Sequence, residues 1–435
     1  MSDRSYPTAA FDMAGTGTVS TVATVTGGII GNIIEWYDWT IYGLLASVFA
    51  GQFFPSSDRI VALLLTLSTF ALGFLMRPVG SIVLSPMADR YGRRRMLALT
   101  ILLMGLGSLI VAVTPPYSAI GIAAPLLLLF ARLLQGFSAG GEFQGGATFL
   151  VEHAPPNRRG FTSSFHIGGV GVSVLIATGV SALTTGLIPQ PALGSWGWRI
   201  PFLLGAVLSL YGLYIRSGLP ETPHFVEAER SDKLEAHPIR TALANHPWES
   251  FVVFVMQMGT VQFYIWVVFL PTYAHLAGGL PLTQGFIGGI IALIVFCIAT
   301  PIAGAVSDRI GRKPLLLGYA IGFFVLSWPM LKLLDNGGFW SFLLVAVVGC
   351  LLLAMVDGVL SVTLCELFPT GVRTSGIGLP YAICAAIFSG TAPLIATYLV
   401  SIKMPWLIAV YIMVICAIGI ATFLRMKETR GVALT

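Results

Sequence analysis

The sequence is short of charge: Asp, Glu, Lys and Arg make up 10% of its 435 residues, while 56% are hydrophobic. A soluble domain carries roughly a quarter charged residues, so a surface facing water on all sides is excluded. Cysteine is also scarce. Cys297, Cys350, Cys365, Cys384 and Cys416 lie in or beside apolar runs of the second half without metal-ligand spacing. They read as buried free thiols, with no metal site among them. The sequence has no phosphate-binding glycine loop, nucleophile elbow or His/Cys/Asp/Glu cluster, so neither an enzyme nor an ATP-driven machine is expected. Residues 1–20 lack the basic stretch and short apolar core of a cleaved leader. Positive charge exceeds negative by five, but the basic residues are scattered over separate segments, and nucleic acid is not an expected partner.

What is present is apolar length. Runs of about 18 residues or more read as bilayer-spanning helices, and twelve occur, near 22–52, 60–84, 96–114, 119–151, 161–187, 198–216, 250–274, 284–306, 314–334, 339–365, 374–400 and 405–424. The expected fold is an all-α membrane protein of two six-helix bundles. Its expected parts are a tail over 1–21, a first bundle over 22–216, a hydrophilic linker over 217–249, a second bundle over 250–424 and a tail over 425–435. Arginine and lysine concentrate on one set of loops, among them Arg93–Arg95, Arg158, Arg159, Arg312 and Lys313. The excess of positive charge on inward-facing loops then places both termini in the cytoplasm.

Two charged signatures occur twice in the same order. SerProMetAlaAspArgTyrGlyArgArgArg at 85–95 returns as GlyAlaValSerAspArgIleGlyArgLys at 304–313, with Asp89 and Asp308, and Arg93 and Arg312, each 219 residues apart. Glu152, Pro155 and Arg159 recur as Glu366, Pro369 and Arg373, offset by 214. Duplication in one order implies two homologous halves, a plan that transporters use repeatedly. Asp89, Arg93, Glu152, Arg159, Asp308, Arg312, Glu366 and Arg373 would flank one membrane face. They read either as a charge network that closes an inner gate or as topology-setting charges in solvated salt bridges.

Charges inside the apolar runs are expensive in lipid and therefore candidates for function. Glu35 and Asp38 share one face of the first run, and Arg132 lies at comparable depth in the fourth. A carboxylate and an arginine at matching depth suit a buried pair, structural or released by protonation. Arg77 either snorkels to the interface or offers a fork to a substrate carboxylate. His166 is a relay or anion ligand, or else a packing residue. Gln257 and Tyr264 in the seventh run and Tyr381 in the eleventh line a pocket or belong to the core. Glu142 and Asp357 are further intramembrane acids, and Asp357 is either a second proton site or a partnered structural acid.

AspArgxGlyArgArg between runs two and three, repeated between eight and nine, resembles the signature loop of the major facilitator superfamily, and ArgLeuLeuGlnGly at 132–136 resembles its fourth-helix motif. GluTrpTyrAsp at 35–38, PheLeuMetArgPro at 74–78, GlnGlyPheSerAlaGlyGlyGlu at 135–142, GlyTrpArgIlePro at 197–201 and GluLeuPheProThr at 366–370 resemble its metabolite:proton symporter branch, which includes citrate, α-ketoglutarate, shikimate and proline/betaine permeases. Ser85 departs from the loop pattern, which usually begins with glycine. The resemblance implies alternating access in a bacterial inner membrane by a monomer that imports a small organic acid with protons and needs no other cofactor. A zwitterionic osmolyte is the alternative substrate, and a non-transporting sensor with the same fold the remote one. In related sugar-type carriers the first-helix acid facing the fourth-helix arginine falls at the position of Asp38.

Overall fold

Backbone groups in hydrocarbon must satisfy one another, and continuous helix achieves this within a single segment. The computed structural model describes residues 21–55, 59–231, 235–335 and 338–434; residues 1–20, which hold nearly all of the expected N-terminal tail, lie outside them. The long helices are α1 Thr21–Phe53, α2 Arg59–Tyr91, α3 Arg93–Val113, α4 Ala123–His153, α5 Arg159–Leu187, α6 Arg199–Ser217, α7 Pro247–His275, α8 Leu282–Ile310, α9 Lys313–Leu334, α10 Phe339–Glu366, α11 Arg373–Cys384 and α12 Trp406–Arg425. Among the described residues, eleven helices are long and apolar enough to cross a membrane, and α1, 33 residues long, precedes them.

α7 and α11 are interrupted. α7 passes through a π-helical turn at Tyr264–Phe269, and α11 through another at Ala385–Ser389 before Ala392–Ser401 continues its path. Such turns free backbone groups from the regular ladder and often mark functional positions. Thr260 and Ser389 join the two broken helices through their hydroxyls at 2.7 Å.

Within the first half α2 packs on α4, α3 on α4 and α6, and α1 on α5; within the second, α8 packs on α10 and α9 on α12 and α10. The halves meet where α5 lies against α8 and α10, and α2 against α11. Small residues let these backbones approach: a Cβ on Gly136 of α4 would collide with the Gly73 carbonyl of α2. Ser85, where the loop pattern usually has glycine, is buried and accepts a 2.8 Å hydrogen bond from Gln144 Nε2. The hydroxyl thus joins α2 to α4 at the site of the departure.

The hydrophilic stretch between the halves folds as two short helices, Pro223–Arg230 and Pro238–Asn245. Phe225, Ala228 and Ala242 bury their side chains, so the segment is docked on the bundle, with Thr222 capping its first helix through Phe225 N.

Candidate functional site

The duplicated loops build one closed face. Gly92 and Gly311 both adopt positive φ, at 102° and 101°, the region where a Cβ is strained, and each turn starts the next helix. Asp89 reaches across to the other half and accepts from the Thr374 and Ser375 backbone N–H groups at 3.1 and 2.8 Å, at the N-terminus of α11. Asp308 does the same at α5, from Gly160 and Phe161 at 2.8 and 2.9 Å. A carboxylate is well placed there, because a helix N-terminus presents unpaired donors and a partial positive charge. Arg93 bridges Asp89 (3.3 Å) and Glu152 (3.5 Å) and donates to the Thr370 carbonyl at 2.7 Å. Glu152 in turn bonds Arg373 of the opposite half at 2.5 Å. Arg312 repeats the bridge between Asp308 (2.8 Å) and Glu366 (3.2 Å).

Arg159 breaks the symmetry. Among the described residues it makes no ion pair within 4 Å and instead donates to the Val432 carbonyl at 2.8 Å. Sequence reasoning also missed a third repeat, Glu221–Thr222 and Glu428–Thr429, 207 residues apart. Glu221 accepts from the Arg93 and Arg94 N–H groups at the start of α3, and Glu428 from those of Arg312 and Lys313 at the start of α9. Thr222 and Thr429 donate to Glu152 and Glu366 respectively. Burial raises the Glu428 carboxyl, but N–H donors from Arg312, Arg430, Lys313 and Thr429 outweigh it and hold the group below the usual range.

Asp89→Asn keeps the shape but weakens both cross-half hydrogen bonds, each worth about 1.5–3 kcal/mol when the acceptor is charged. The expected result is a shift away from this closed face, read as faster maleimide labelling of Cys365, a fully buried thiol whose carbonyl accepts from Arg373. Labelling at the wild-type rate would remove Asp89 from the closure.

The intramembrane charges sort into three sets. Glu35 pairs with Arg77, not with Arg132, at 2.9 Å. The Arg77 guanidinium lies over the Phe74 and Trp39 rings at 4.5 and 5.1 Å. Tyr264 and Tyr381, from the broken helices of the other half, lie within electrostatic reach of both charges, and Gln257 sits against the Tyr381 hydroxyl. Phe143 stacks on Tyr381 at 4.0 Å and meets His166 at 5.0 Å, while Trp36 packs on Phe263 and Tyr264. His166 is fully buried and reaches Ser361 of α10 at 3.3 Å through Nδ1.

Asp38 belongs to a separate cluster inside the first bundle. It accepts from Ser108 at 2.7 Å and from Gln135. Arg132 is near enough to act on it electrostatically but not to pair within 4 Å, and its three guanidinium nitrogens have no hydrogen-bond partner. The cation rests over Tyr42 at 4.0 Å, which an aromatic face tolerates through its quadrupole. The expected direct pairing of a first-helix acid with Arg132 is therefore corrected: the acid that forms an ion pair is Glu35, and its partner is Arg77 of α2 at 2.9 Å.

The third set is Glu142 with Arg216, paired at 2.5 Å and supported by Thr100. Gly31 forms its floor, since a Cβ there would strike both side chains. Arg199 donates to the Ala112 and Thr114 carbonyls at 2.6 and 2.7 Å, closing the end of α3 rather than a pocket. Among the described residues no group of His, Cys, Asp and Glu is arranged to hold a metal.

Comparison with known proteins follows this geometry. A family model for the Major Facilitator Superfamily matches residues 28–381. The chain is 35% identical over 420 residues to the glycine betaine/proline/ectoine/pipecolic acid transporter OusA of Dickeya dadantii, covering 93% of this chain and 83% of that one. It is 34% identical over 390 residues to a citrate-proton symporter of Klebsiella pneumoniae, covering 89% and 86%. To the alpha-ketoglutarate permease of Escherichia coli it is 34% identical over 415 residues, covering 94% and 95%. Among solved structures, the proton:xylose symporter XylE bound to 6-bromo-6-deoxy-D-glucose superposes with a TM-score of 0.77 at 18% identity, covering 95% of this chain and 97% of that one. A partially occluded inward-open form of XylE from E. coli gives 0.61 at 18% identity, covering 95% and 99%.

Proposed function

This chain belongs to the Major Facilitator Superfamily, and on that premise we propose that it is a proton-coupled symporter of a small organic acid, working by alternating access between two six-helix bundles. Twelve spans, counting α1, and cytoplasmic termini complete this reading, which rests there on the positive-inside distribution.

The observation that carries it is the Glu35–Arg77 pair, enclosed at the junction of the halves and faced by Tyr264 and Tyr381. A proton on Glu35 removes the negative partner of Arg77. The guanidinium is then left in a low-dielectric site with its fork free, and a substrate carboxylate restores its neutrality with two parallel hydrogen bonds. Proton and acid thus bind together, and neither alone leaves the site neutral, which is the thermodynamic condition for symport. Asp38 and Arg132 form a second coupling element, because a change of geometry that brings them into contact displaces Ser108 and Gln135 from the carboxylate. The loop network is the inner gate. Its inter-half bonds (Asp89 to α11, Asp308 to α5, Glu152 to Arg373) must break together when the halves rock apart.

A zwitterionic osmolyte is the second reading. The ring cluster of Trp36, Phe143, Phe263, Tyr264 and Tyr381 suits an alkylammonium group through cation–π attraction, and OusA is named for such substrates.

The test is uptake into proteoliposomes under an imposed inward proton gradient, using citrate, α-ketoglutarate, succinate, shikimate, proline and betaine. Accumulation of an acid that collapses with protonophore supports the first reading; accumulation of betaine or proline alone supports the second. Arg77→Ala is expected to raise the KM for the acid by about 10- to 100-fold, the loss of about 1.5–3 kcal/mol of charged hydrogen bonding. An unchanged KM would remove Arg77 from the substrate site.

A further inference from the structure

α10 carries one acid that none of these roles uses. Asp357 lies mid-helix and half-buried, with its Oδ2 enclosed; among the described residues that oxygen has no hydrogen-bond partner and no ion pair within 4 Å includes the side chain. The sequence left open whether it is a partnered structural acid, and among the described residues no ion-pair partner appears. On a helix, residues three, four and seven apart share a face. Asp357 therefore lies in one stripe with Cys350, Ala354 and Ser361, each no more than 2% exposed. The stripe faces protein rather than lipid, and its Ser361 touches His166 of the opposite half. The 214-residue repeat that relates Glu152 to Glu366 relates Phe143 to Asp357, and Phe143 is the ring wedged between Tyr381 and His166.

The surroundings limit what Asp357 can hold. α10 packs against α8, α9, α5, α4, α11 and the π turn of α7. From α9, Tyr319 lies within electrostatic reach, with its own hydroxyl unpartnered and Gly259 against it. Cys350 of α10 lies within reach of both Asp357 and Cys297 of α8. α5 contributes His166, which Ser361 of the same stripe reaches at 3.3 Å. None of these side chains carries a fixed positive charge. Asp357 as a whole is half-buried, and a bare carboxylate with one oxygen enclosed among these groups still costs free energy, a cost that a proton or another cation relieves.

We propose that Asp357 is a second proton-binding carboxyl, seated in the C-terminal bundle on the inter-half stripe and loaded once per transport cycle. It takes a proton from the outer solution to form a neutral carboxylic acid while the site holds an anionic substrate, and it returns that proton to the inner solution after the substrate leaves. The proposal rests on the proton-coupled reading above. It adds to that reading one proton and a location distinct from Glu35 and Asp38.

The experiment compares wild type, Asp357→Asn and Asp357→Glu in proteoliposomes, with the proton-to-substrate ratio taken from the reversal potential and substrate counterflow followed across pH. In Asp357→Asn the ratio is expected to fall by one proton, and counterflow to lose its dependence on pH; Asp357→Glu is expected to restore both. An unchanged ratio overturns the proposal. So does loss of counterflow at every pH in folded Asp357→Asn, which would make Asp357 the partner of a substrate ammonium group. Infrared difference spectra of wild type titrated through pH decide the matter even if Asp357→Asn fails to fold. A carboxylic C=O band that moves in Asp357→Glu supports the proton site, and the absence of any such band overturns it. This readout needs no transport, so it still decides the role of Asp357 if wild-type uptake ignores the proton gradient and the parent reading fails.

Discussion

Replacing Glu35 with glutamine is expected to cut uptake against a gradient sharply while substrate exchange remains measurable. The substitution fixes the first-helix partner of Arg77 in an uncharged state, at a contact that is 2.9 Å in the native protein. The arginine is then permanently available to substrate, so binding no longer requires a proton at Glu35 and the proton gradient loses that point of action. The loss reads as accumulation ratios falling toward the equilibrium value in the presence of an inward proton gradient. Counterflow of labelled substrate, driven by unlabelled substrate alone, continues. Asp38→Asn is the necessary companion. If that variant loses accumulation and Glu35→Gln keeps it, coupling runs through Asp38 and Arg132, and the Glu35–Arg77 pair is a fixed structural bridge.

The largest effect on stability is expected from Arg216→Ala. Arg216 is 1% exposed and donates to both oxygens of Glu142, to the Leu97 carbonyl and, at 3.1 Å, to the Gly27 carbonyl. Truncation leaves a buried carboxylate with Thr100 as its remaining side-chain partner, together with two carbonyls that lose the guanidinium donor. Breaking one side of a buried pair costs about 3–5 kcal/mol, whereas replacing both partners with apolar residues of similar volume is often neutral. The double variant Glu142→Leu/Arg216→Met should therefore unfold at a higher temperature in detergent than Arg216→Ala alone. A single variant within about 1 kcal/mol of wild type would mean that water reaches Glu142 and compensates for it.

The pattern of hits and misses follows from range. Helix positions came from local composition, and the charged loops from a repeat of fixed spacing, so both were legible. The pairing Glu35–Arg77 was not, because Arg77 lies 42 residues from Glu35 and Arg132 stood at a comparable depth. Glu142–Arg216 was missed for a similar reason, since Arg216 at the end of α6 reads equally well as a topology-setting charge. The capping pairs Glu221–Thr222 and Glu428–Thr429 had a sequence signal, a dipeptide repeated in the corresponding place of each half, but two residues are too short to stand out without the contacts they make.

What the sequence determined by itself was the solvent and the architecture. A chain with 10% charge must bury its backbone in helices within lipid, and a motif written twice must make two similar halves. What the tertiary structure decided was which charge neutralises which. Depth along a helix fixes one coordinate of a side chain, but rotation and the approach of neighbouring helices fix the other two. Those depend on close contacts such as Gly136 on Gly73, which bring α2 with Arg77 toward the first-bundle centre and leave Arg132 resting on Tyr42. Electrostatic energy in a low-dielectric interior changes steeply over a few ångströms, so the chemistry of the site is set at a resolution that spacing along the chain does not carry.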